Sequence, residues 1–531
     1  MPIVSAVDSD RLALLSRAGL RLPLLLTAGV VGALAFPTAG WWLFGWVWVT
    51  PALACALWRS PRGALADGWL QGTVFFLVLL RWLDHTFRHY SAIPWPLTWL
   101  PIVALAAYCG LYLGLTCAAV TGLRSRVGAG WALAATPPLW VGGEWIRGHL
   151  MDGFPWGLAG YSQHAVLPVI QIAEVTGVYG VSFLLLAVNA ALAAMAGLGW
   201  RRARRGALTA GLLLVAALGF GWSALRASGD TEARASRWLP VAVIQPSIEQ
   251  TIKWDPVRHE EIMRVYERLT REAARPLTGD GGSVRPAVVL WPETAATIFL
   301  RGDPALLGRL TALSAEVETP LLVGSIDRRD GPRGKFLNSA FFLNGQGITA
   351  KYDKIHLVPF GEYVPLSGLI GFVRSWAEFI SDFGAGQQRT VFQLPGAPFG
   401  VVICYEVIFP ELFRGFVAGG AAFMVNITND AWFGETSGPW QHLGMLPLRA
   451  VENRVAIARA ANTGVSAFVA PSGRITRMLP LFQRGILADR VPLRRTATVY
   501  ARFGDWFAYA CLALSAGALG YALFGRSTAR C

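Results

Sequence analysis

The sequence predicts a polytopic α-helical membrane part joined to a soluble, layered α/β part. Hydrophobic residues make up 54% of the chain and charged residues only 15%, against about 25% in average soluble domains. Eight apolar segments approach the length that crosses a membrane. One long stretch, residues 239–491, instead alternates strand-like and helix-like patterns, which is typical of layered α/β folds.

The apolar segments lie almost entirely in the first 226 residues. A helical span needs roughly 20 apolar residues. The candidate spans are at 20–36, 41–58, 69–84, 97–122, 129–147, 176–199, 206–226 and 504–525. The third is short, and Pro137 and Pro138 weaken the fifth. We therefore expect a membrane domain at 1–226 with about seven transmembrane helices, and a C-terminal transmembrane helix at 504–525.

Arginine clusters alternate with these segments. If the N-terminus is cytoplasmic, one side of the membrane receives the arginine-rich loops near residues 59–62, 124–126 and 201–205. Positively charged loops face the cytoplasm, so the alternation places residues 227–503 on the other side. The net charge of +14 is therefore explained by membrane orientation, and nucleic-acid binding is not expected.

The stretch 239–491 is predicted to fold as the soluble α/β unit. Strand-like runs occur at 241–245, 287–291, 321–324, 400–404 and 423–427. Helical patterns occur at 256–275, 303–317 and 440–458. Turn-forming residues at 344–347 and 471–473 predict hairpins.

Cys404 stands apart from the other five cysteines. Four of those lie in apolar segments and one is the last residue, so the soluble stretch has no second cysteine for a disulfide. The apolar run 399–403 leads to Cys404 and then to a helix containing Pro410. A strand-to-helix elbow exposes a nucleophile beside backbone N–H groups. The alternative is a small buried core residue, the usual place of a free cysteine.

Lysine is rare in this chain, occurring only at 253, 335, 351 and 354. Because arginine is the usual cation here, a retained lysine indicates a need for a compact ammonium group. Lys354 lies in a stretch rich in reactive side chains, where it can stabilise an oxyanion and favour a thiolate. A surface lysine is the alternative, and it is the simpler interpretation of Lys253 and Lys351.

Glu293 follows the strand-like run 287–291 directly after Pro292. Proline cannot donate to a strand ladder, so the carboxylate is expected at the C-terminal edge of the sheet, where functional sites collect. A free thiol needs a base or a cation at neutral pH, and Glu293 is the candidate base. A helix cap or a surface carboxylate is the alternative.

Taken in order, three motifs resemble the Glu–Lys–Cys triad of the nitrilase superfamily. They are Trp291-Pro-Glu293, Lys354-Ile-His-Leu-Val-Pro-Phe-Gly-Glu362 and Ile403-Cys404-Tyr-Glu406. With the 426–433 string and the flanking spans, the chain resembles the membrane-fused branch, the bacterial apolipoprotein N-acyltransferases. The resemblance covers essentially the whole chain, including the segment 153–157.

The resemblance implies a nitrilase-like αββα sandwich catalytic domain at 239–491. It also implies transfer of an acyl chain from a glycerophospholipid, typically phosphatidylethanolamine, to the α-amino group of the diacylglyceryl-cysteine that begins an apolipoprotein. Cys404 would form a thioester, Glu293 would act as the base, and Lys354 would hold the oxyanion. The implied location is the bacterial inner membrane with the catalytic domain on the periplasmic face, and a monomer is expected.

Further roles follow only from the resemblance. Glu362, Glu406 and Tyr405 are expected to support the triad, and substrate contacts are expected from Trp254, Trp156, Val358 and Phe360. Apolar residues of the loop, including those at 366, 369, 370 and 372, are expected at the bilayer edge, with core packing as the alternative. No metal or cofactor is expected, because the pair His85 and His89 has no evident third ligand.

Two other functions remain open at this point. A membrane-anchored amidase would use the same triad with water as the acceptor, although a small polar amide needs no membrane domain. A non-enzymatic membrane sensor would tolerate loss of Glu293, Lys354 and Cys404.

Overall fold

The computed structural model describes residues 18–233, 238–279, 282–297, 299–329, 334–364, 383–493 and 497–524. Contacts between Cα atoms divide the chain into two compact units. The first unit comprises Met1–Asp84, Pro96–Leu225 and Phe503–Cys531, and the second comprises His85–Trp95 and Arg226–Arg502.

The first unit is built from helices. Its α-helices, including two that continue beyond its bounds, are Ala18–Leu34, Thr50–Ala56, Pro61–Leu79, Leu83–Tyr90, Trp99–Val127, Ala129–Ala134, Thr136–His149, Leu167–Ile170, Ala173–Thr176, Val178–Leu198, Trp200–Ala233 and Trp506–Phe524. Short 3-10 turns lie at Trp42–Trp46, Leu150–Asp152 and Ala159–Gln163.

Four of the described helices are long and apolar enough to cross a membrane: Trp99–Val127, Val178–Leu198, Trp200–Ser228 and Trp506–Phe524. A fifth results if the pair Pro61–Leu79 and Leu83–Tyr90, bent by 58°, forms one span. The predicted segment 129–147 is broken at Ala135, because Pro137 and Pro138 stand in the first turn of a new helix, where proline is tolerated. The chain is a polytopic helical membrane protein, and the number of eight spans stays a prediction.

The second unit contains fourteen described strands. The first seven are β1 Trp238–Gln245, β2 Leu277–Gly279, β3 Gly282–Val284, β4 Val288–Leu290, β5 Leu321–Arg328, β6 Phe336–Asn344 and β7 Gly347–Asp353. The others are β8 Val391–Phe392, β9 Phe399–Ile403, β10 Phe423–Thr428, β11 Ile457–Ala461, β12 Ser466–Val469, β13 Ile475–Leu479 and β14 Gly485–Pro492.

Two six-stranded sheets form the centre of this unit, in the orders β14-β1-β4-β5-β6-β7 and β13-β12-β11-β10-β9-β8. Strands β1, β4 and β5 run parallel, as do β9, β10 and β11. The sheets contact each other through β1 with β11 and β6 with β9. Parallel strands bring their carboxyl ends to one edge, and the segments after β4, β9 and β10 begin there.

Helices cover the outer faces of both sheets. His259–Ala273 and Pro304–Glu316 pack on the first sheet, while Pro410–Ala418 and Leu446–Asn453 pack on the second. The other helices among the described residues of this unit are Gln250–Lys253, Gly438–Leu443 and Val499–Phe503, with 3-10 turns at Pro256–Arg258, Cys404–Ile408 and Asp430–Phe433. The layers are therefore α, β, β, α, as the family resemblance implied.

The five predicted strands and both predicted hairpin turns are confirmed. The predicted helix at 440–458 is wrong in its last part. It is split into Gly438–Leu443 and Leu446–Asn453, and Ile457 already belongs to β11. Arg454 adopts a left-handed conformation that ends the helix, and the buried strand that follows competes for the same apolar residues.

Candidate active site

Cys404 lies at the carboxyl end of β9, on the turn into the 3-10 segment Cys404–Ile408. Its φ is +51°, a left-handed conformation that costs about 1–2 kcal/mol for a residue with a Cβ. Such strain persists only where the surroundings impose it. Cys404 is 7% exposed, so its sulfur faces an enclosed site at the sheet edge.

Glu293 follows β4 at the same edge. Trp291 anchors this strand end, because its buried ring stacks on Tyr266 and its Nε1–H donates to Thr270 Oγ1 at 3.0 Å. Glu293 is 5% exposed. Its Oε2 accepts the backbone N–H of Asn429 at 2.8 Å, which joins the end of one sheet to the end of the other.

Gly324 of β5 permits this placement of Glu293. A Cβ on Gly324 would lie 2.3 Å from the Pro292 carbonyl oxygen and 2.8 Å from the Glu293 Cα atom. These are backbone atoms, so they cannot move aside as a flexible side chain would. Glycine is therefore required at this position for close approach of the two strand ends.

Lys354 directly follows β7 and is 1% exposed. Its Nζ donates to Glu362 Oε1 at 2.9 Å and lies 3.7 Å from Glu293 Oε1. Burial alone lowers the pKa of a lysine, but the charges of Glu362, Glu293 and the Cys404 sulfur outweigh it and raise the pKa of Lys354. Lys354 is thus a fixed cation between the two carboxylates.

Asn338 of β6 completes the link between Glu293 and Glu362. Its Nδ2 amide donates to Glu293 Oε1 at 2.7 Å and to Glu362 Oε1 at 3.0 Å. Glu362 Oε2 accepts the N–H of Val358 at 2.8 Å. This hydrogen bond lies within the loop that follows Lys354 and holds Glu362 in place. The buried carboxylate of Glu293 and the partly buried one of Glu362 share one amide and one ammonium, and this fixes their positions.

Glu406 is fully buried two residues after Cys404. Its Oε1 accepts from the Tyr352 hydroxyl at 2.7 Å and from the N–H groups of Ile355 and His356 at 2.6 and 3.1 Å. Its Oε2 accepts the N–H of Ile403 at 2.7 Å. Burial raises the pKa of Glu406 to about 7, against the effect of these donors. Glu406 does not bind Lys354 directly but holds the backbone on both sides of the site.

A buried polar cluster lies behind Cys404, and sequence reasoning did not assign it. His442 Nε2 donates to the Cys404 carbonyl oxygen at 3.1 Å, and its Nδ1 lies 3.1 Å from both Asp430 Oδ1 and Arg459 Nη2. Arg459 donates to Asp430 Oδ2 at 2.6 Å. Burial lowers the pKa of His442, with the Arg459 charge acting in the same direction. In the neutral ring that donates from Nε2, Nδ1 accepts from Arg459. The Nδ1 approach to Asp430 Oδ1 is then not a hydrogen bond, and Oδ1 accepts from Thr428 instead.

Thr428 connects this cluster to the nucleophile. It ends β10 beside Cys404 and donates to Asp430 Oδ1 at 2.8 Å, and its side chain lowers the pKa of the Cys404 thiol. The 426–433 string therefore contained two members of the cluster, Thr428 and Asp430. His442 and Arg459 lie on other elements, and neither lies in one of the motifs of the resemblance.

The surroundings of Cys404 favour its neutral thiol over the thiolate. Burial raises its pKa most, the Glu293 charge raises it further, and the Lys354 charge opposes both. Lys354 was expected to favour the thiolate. It does lower the pKa of the thiol, but burial and the Glu293 charge act in the opposite direction. A thiol in this setting needs its proton removed during attack, and a carboxylate beside the same cation is the group that can accept it.

Lys253 and Trp254 lie in the segment after β1. The interpretation of Lys253 as a surface lysine is wrong, because it is 2% exposed and its Nζ donates to the Glu293 carbonyl oxygen at 3.2 Å. Burial lowers the pKa of Lys253 to about 8, against the raising effect of Glu293. Trp254 is 41% exposed, so its ring is available for contact.

The other predicted residues occupy varied places. Val358 is half-buried, Phe360 is exposed with a φ of +60°, and Tyr405 is buried with its ring edge-on to Phe409. Trp156 belongs to the first unit, where it is buried beside Trp82. Residues 366, 369, 370 and 372 lie outside the described residues. Substrate contacts by this group stay predictions.

Within the described residues, no group of three or more His, Cys, Asp or Glu side chains is arranged to hold a metal ion. The arrangement that is present joins a buried thiol, a carboxylate and an ammonium. These groups suit covalent catalysis: a proton acceptor, a nucleophile, and a cation for the oxygen that becomes negative in a tetrahedral intermediate.

This combination of fold and site defines the carbon–nitrogen hydrolase class, and the family described as "Carbon-nitrogen hydrolase" matches residues 241–501. The family described as "Apolipoprotein N-acyltransferase N-terminal domain" matches residues 28–191. The chain belongs to the apolipoprotein N-acyltransferase family.

Its similarity to curated relatives extends over nearly the whole chain. An apolipoprotein N-acyltransferase from Geobacter metallireducens is 38% identical over 92% of this chain and 92% of its own. One from Allorhizobium ampelinum is 36% identical over 88% of this chain and 89% of its own. Among solved structures, an amidase from Nesterenkonia sp. aligns at 21% identity with a TM-score of 0.38, covering 51% of this chain and 95% of its own.

Proposed function

We propose that this chain transfers an acyl chain from a glycerophospholipid to the α-amino group of the N-terminal diacylglyceryl-cysteine of apolipoproteins. The observation that carries the proposal is the burial of Cys404, Glu293 and Lys354 at one sheet edge of a chain that also contains membrane-spanning helices. Relatives over 92% and 88% of the chain bear the name apolipoprotein N-acyltransferase, which supports N-acylation of lipoproteins over amide hydrolysis.

In the first half-reaction, Glu293 accepts the Sγ proton while the sulfur attacks the ester carbonyl carbon. The carbonyl oxygen becomes negative, and the ammonium of Lys354 stabilises it. Collapse of the intermediate breaks the ester C–O bond, and Glu293 returns the proton to the departing lysophospholipid oxygen. The acyl chain is then held on Cys404 as a thioester.

In the second half-reaction, the α-amine of the acceptor attacks the thioester carbonyl carbon. Glu293 accepts a proton from the amine, and Lys354 again stabilises the oxyanion. Collapse breaks the C–S bond, and the sulfur regains its proton from Glu293. One cavity thus serves two lipid substrates in turn, which a covalent route permits.

The finer assignments follow from the sequence pattern. Residues 1–226 and 504–525 would form the membrane domain, and 239–491 the catalytic domain. The arginine alternation supports a bacterial inner-membrane location with catalysis on the periplasmic face. Phosphatidylethanolamine is the proposed donor, and the proposed active form is a monomer.

Two synthetic acceptors test the transfer step. Purified enzyme with phosphatidylethanolamine is given a diacylated lipopeptide with a free α-amine, or the same lipopeptide with that amine acetylated. The proposal expects one added acyl chain on the free amine, none on the acetylated control, and none in Cys404→Ser. Release of free fatty acid at equal rates with both acceptors would instead indicate a hydrolase.

A further inference from the structure

A second buried lysine contacts the residue proposed as the base. Lys253 ends the short helix Gln250–Lys253, and its ammonium reaches the carbonyl oxygen of Glu293 at 3.2 Å. The same short segment reaches the carboxylate of Glu293 through one intermediate. Gln250 Oε1 accepts from Asn429 Nδ2 at 2.8 Å, and the N–H of Asn429 donates to Glu293 Oε2 at 2.8 Å.

Without Lys253, the negatively charged groups around Glu293 outnumber the positively charged ones. Glu293 and Glu362 share one ammonium, that of Lys354, at 3.7 and 2.9 Å. Glu406, whose pKa burial raises to about 7, adds further negative charge above neutrality. Asp430 is paired with Arg459. A buried charge without a partner is strongly unfavourable, and the ammonium of Lys253 adds a second positive charge beside Glu293.

We propose that Lys253 is a positioning residue for Glu293: its ammonium holds the strand end in place and adds a second positive charge beside the base. The inference rests on the proposed function, in which Glu293 must accept the Cys404 proton. Burial lowers the pKa of Lys253 to about 8, so Lys253 remains charged at neutral pH, where the base is needed.

Two uncharged substitutions separate the charge from the hydrogen bond. Lys253→Gln keeps an N–H donor without a charge, and Lys253→Met removes both. The matched control is Lys335→Met, at an exposed lysine. The measurement is the rate of acyl-adduct formation on the full-length enzyme with phosphatidylethanolamine, by intact mass, from pH 5 to pH 9. Thermal unfolding of each variant is measured in parallel.

We expect Cys404 to be acylated about 10- to 100-fold more slowly at neutral pH in both Lys253 variants. This loss is a part of the rate enhancement that a general base provides. The acidic limb of the pH profile should move to higher pH in both, because each variant removes a positive charge beside the proton acceptor. Lys335→Met should follow the wild type. If Lys253 served folding alone, its variants would unfold at a lower temperature, but the acidic limb of the acylation pH profile would not move.

Each other outcome overturns the inference. If Lys253→Gln matches the wild type while Lys253→Met is slow, the contact matters and the charge does not. If both match the wild type, Lys253 has no such role. If Lys253→Met does not fold, Lys253→Gln is compared with Lys253→Arg, which keeps the charge. Equal acylation rates of these two variants would then overturn the inference. If the wild type forms no adduct, the proposed function fails, and this inference fails with it.

Discussion

Glu406 accepts the backbone N–H of Ile355 at 2.6 Å, which ties the residue after Lys354 to the residue two positions after Cys404. The same carboxylate accepts the N–H of Ile403, directly before the nucleophile. One buried side chain thus sets the separation between the cation and the sulfur, although it contacts neither of those two groups.

Glu406→Gln tests this arrangement. The amide replaces one carboxylate oxygen by an NH₂ group that cannot accept from Ile403 or Ile355, so at least one buried donor loses its partner. We expect a loss of about 1–3 kcal/mol in the free energy of unfolding together with slower acylation of Cys404. Chemical denaturation and intact-mass kinetics measure the two effects.

The matched control is Glu411→Gln, at a half-exposed glutamate paired with Arg414 on the following helix. Surface substitutions of this kind usually change stability by no more than about 0.5 kcal/mol. Equal effects of the two substitutions would contradict the role given to Glu406.

Gly324→Ala should displace Glu293 without changing the Glu293 side chain. The added Cβ would meet the backbone of residues 292–294 at 2.3 to 2.8 Å, so the strand ends must separate. We expect acylation to fall about 100-fold, because small misplacements of a catalytic group have effects of that order. Gly308→Ala, in the helix Pro304–Glu316 with no atom near its Cβ position, should leave acylation unchanged and slightly raise stability.

His442 is predicted to hold Cys404 in its left-handed conformation. His442→Phe removes the donor to the Cys404 carbonyl oxygen and leaves Arg459 without one acceptor, so stability should fall by about 1–3 kcal/mol and acylation should slow. His442→Gln retains an N–H donor and should recover part of the rate. If Phe and Gln are equally active, the contact does not position the nucleophile.

The pH dependence of Cys404 alkylation tests the electrostatics of the site. Burial and the Glu293 charge raise the thiol pKa, and the Lys354 charge lowers it. Glu293→Gln removes a negative charge, so half-maximal alkylation by iodoacetamide should move to lower pH. Lys354→Met removes a positive charge, so the midpoint should move to higher pH. Movement of both midpoints in the same direction would contradict these assignments.

The layered fold and the triad could be predicted from the sequence because their signals are local. Apolar runs marked the five predicted strands, and Pro292 marked the end of the strand before Glu293. The left-handed conformation of Cys404 leaves no comparable signal, because distant residues impose it. His442, which contacts Cys404, and Arg459, which contacts His442, lie 38 and 55 positions further along the chain.

The burial of Lys253 also could not be predicted from the sequence. A lysine next to an exposed tryptophan gives no local indication of burial, and only the return of the chain to the end of β4 encloses it. Helix breaks in the membrane part were also underestimated, because hydropathy measures length and composition but not the local geometry at Ala135.

The central claim is that Cys404 carries the acyl chain, and the most direct test is the intact mass of the enzyme after incubation with phosphatidylethanolamine and no acceptor. We expect one added acyl chain that hydroxylamine removes, present in the wild type and in Cys511→Ala but absent in Cys404→Ala. Discharge should follow when the diacylated lipopeptide is added. An unmodified wild-type mass with every phospholipid tried, or an adduct that persists in Cys404→Ala, would show that Cys404 does not carry the acyl chain.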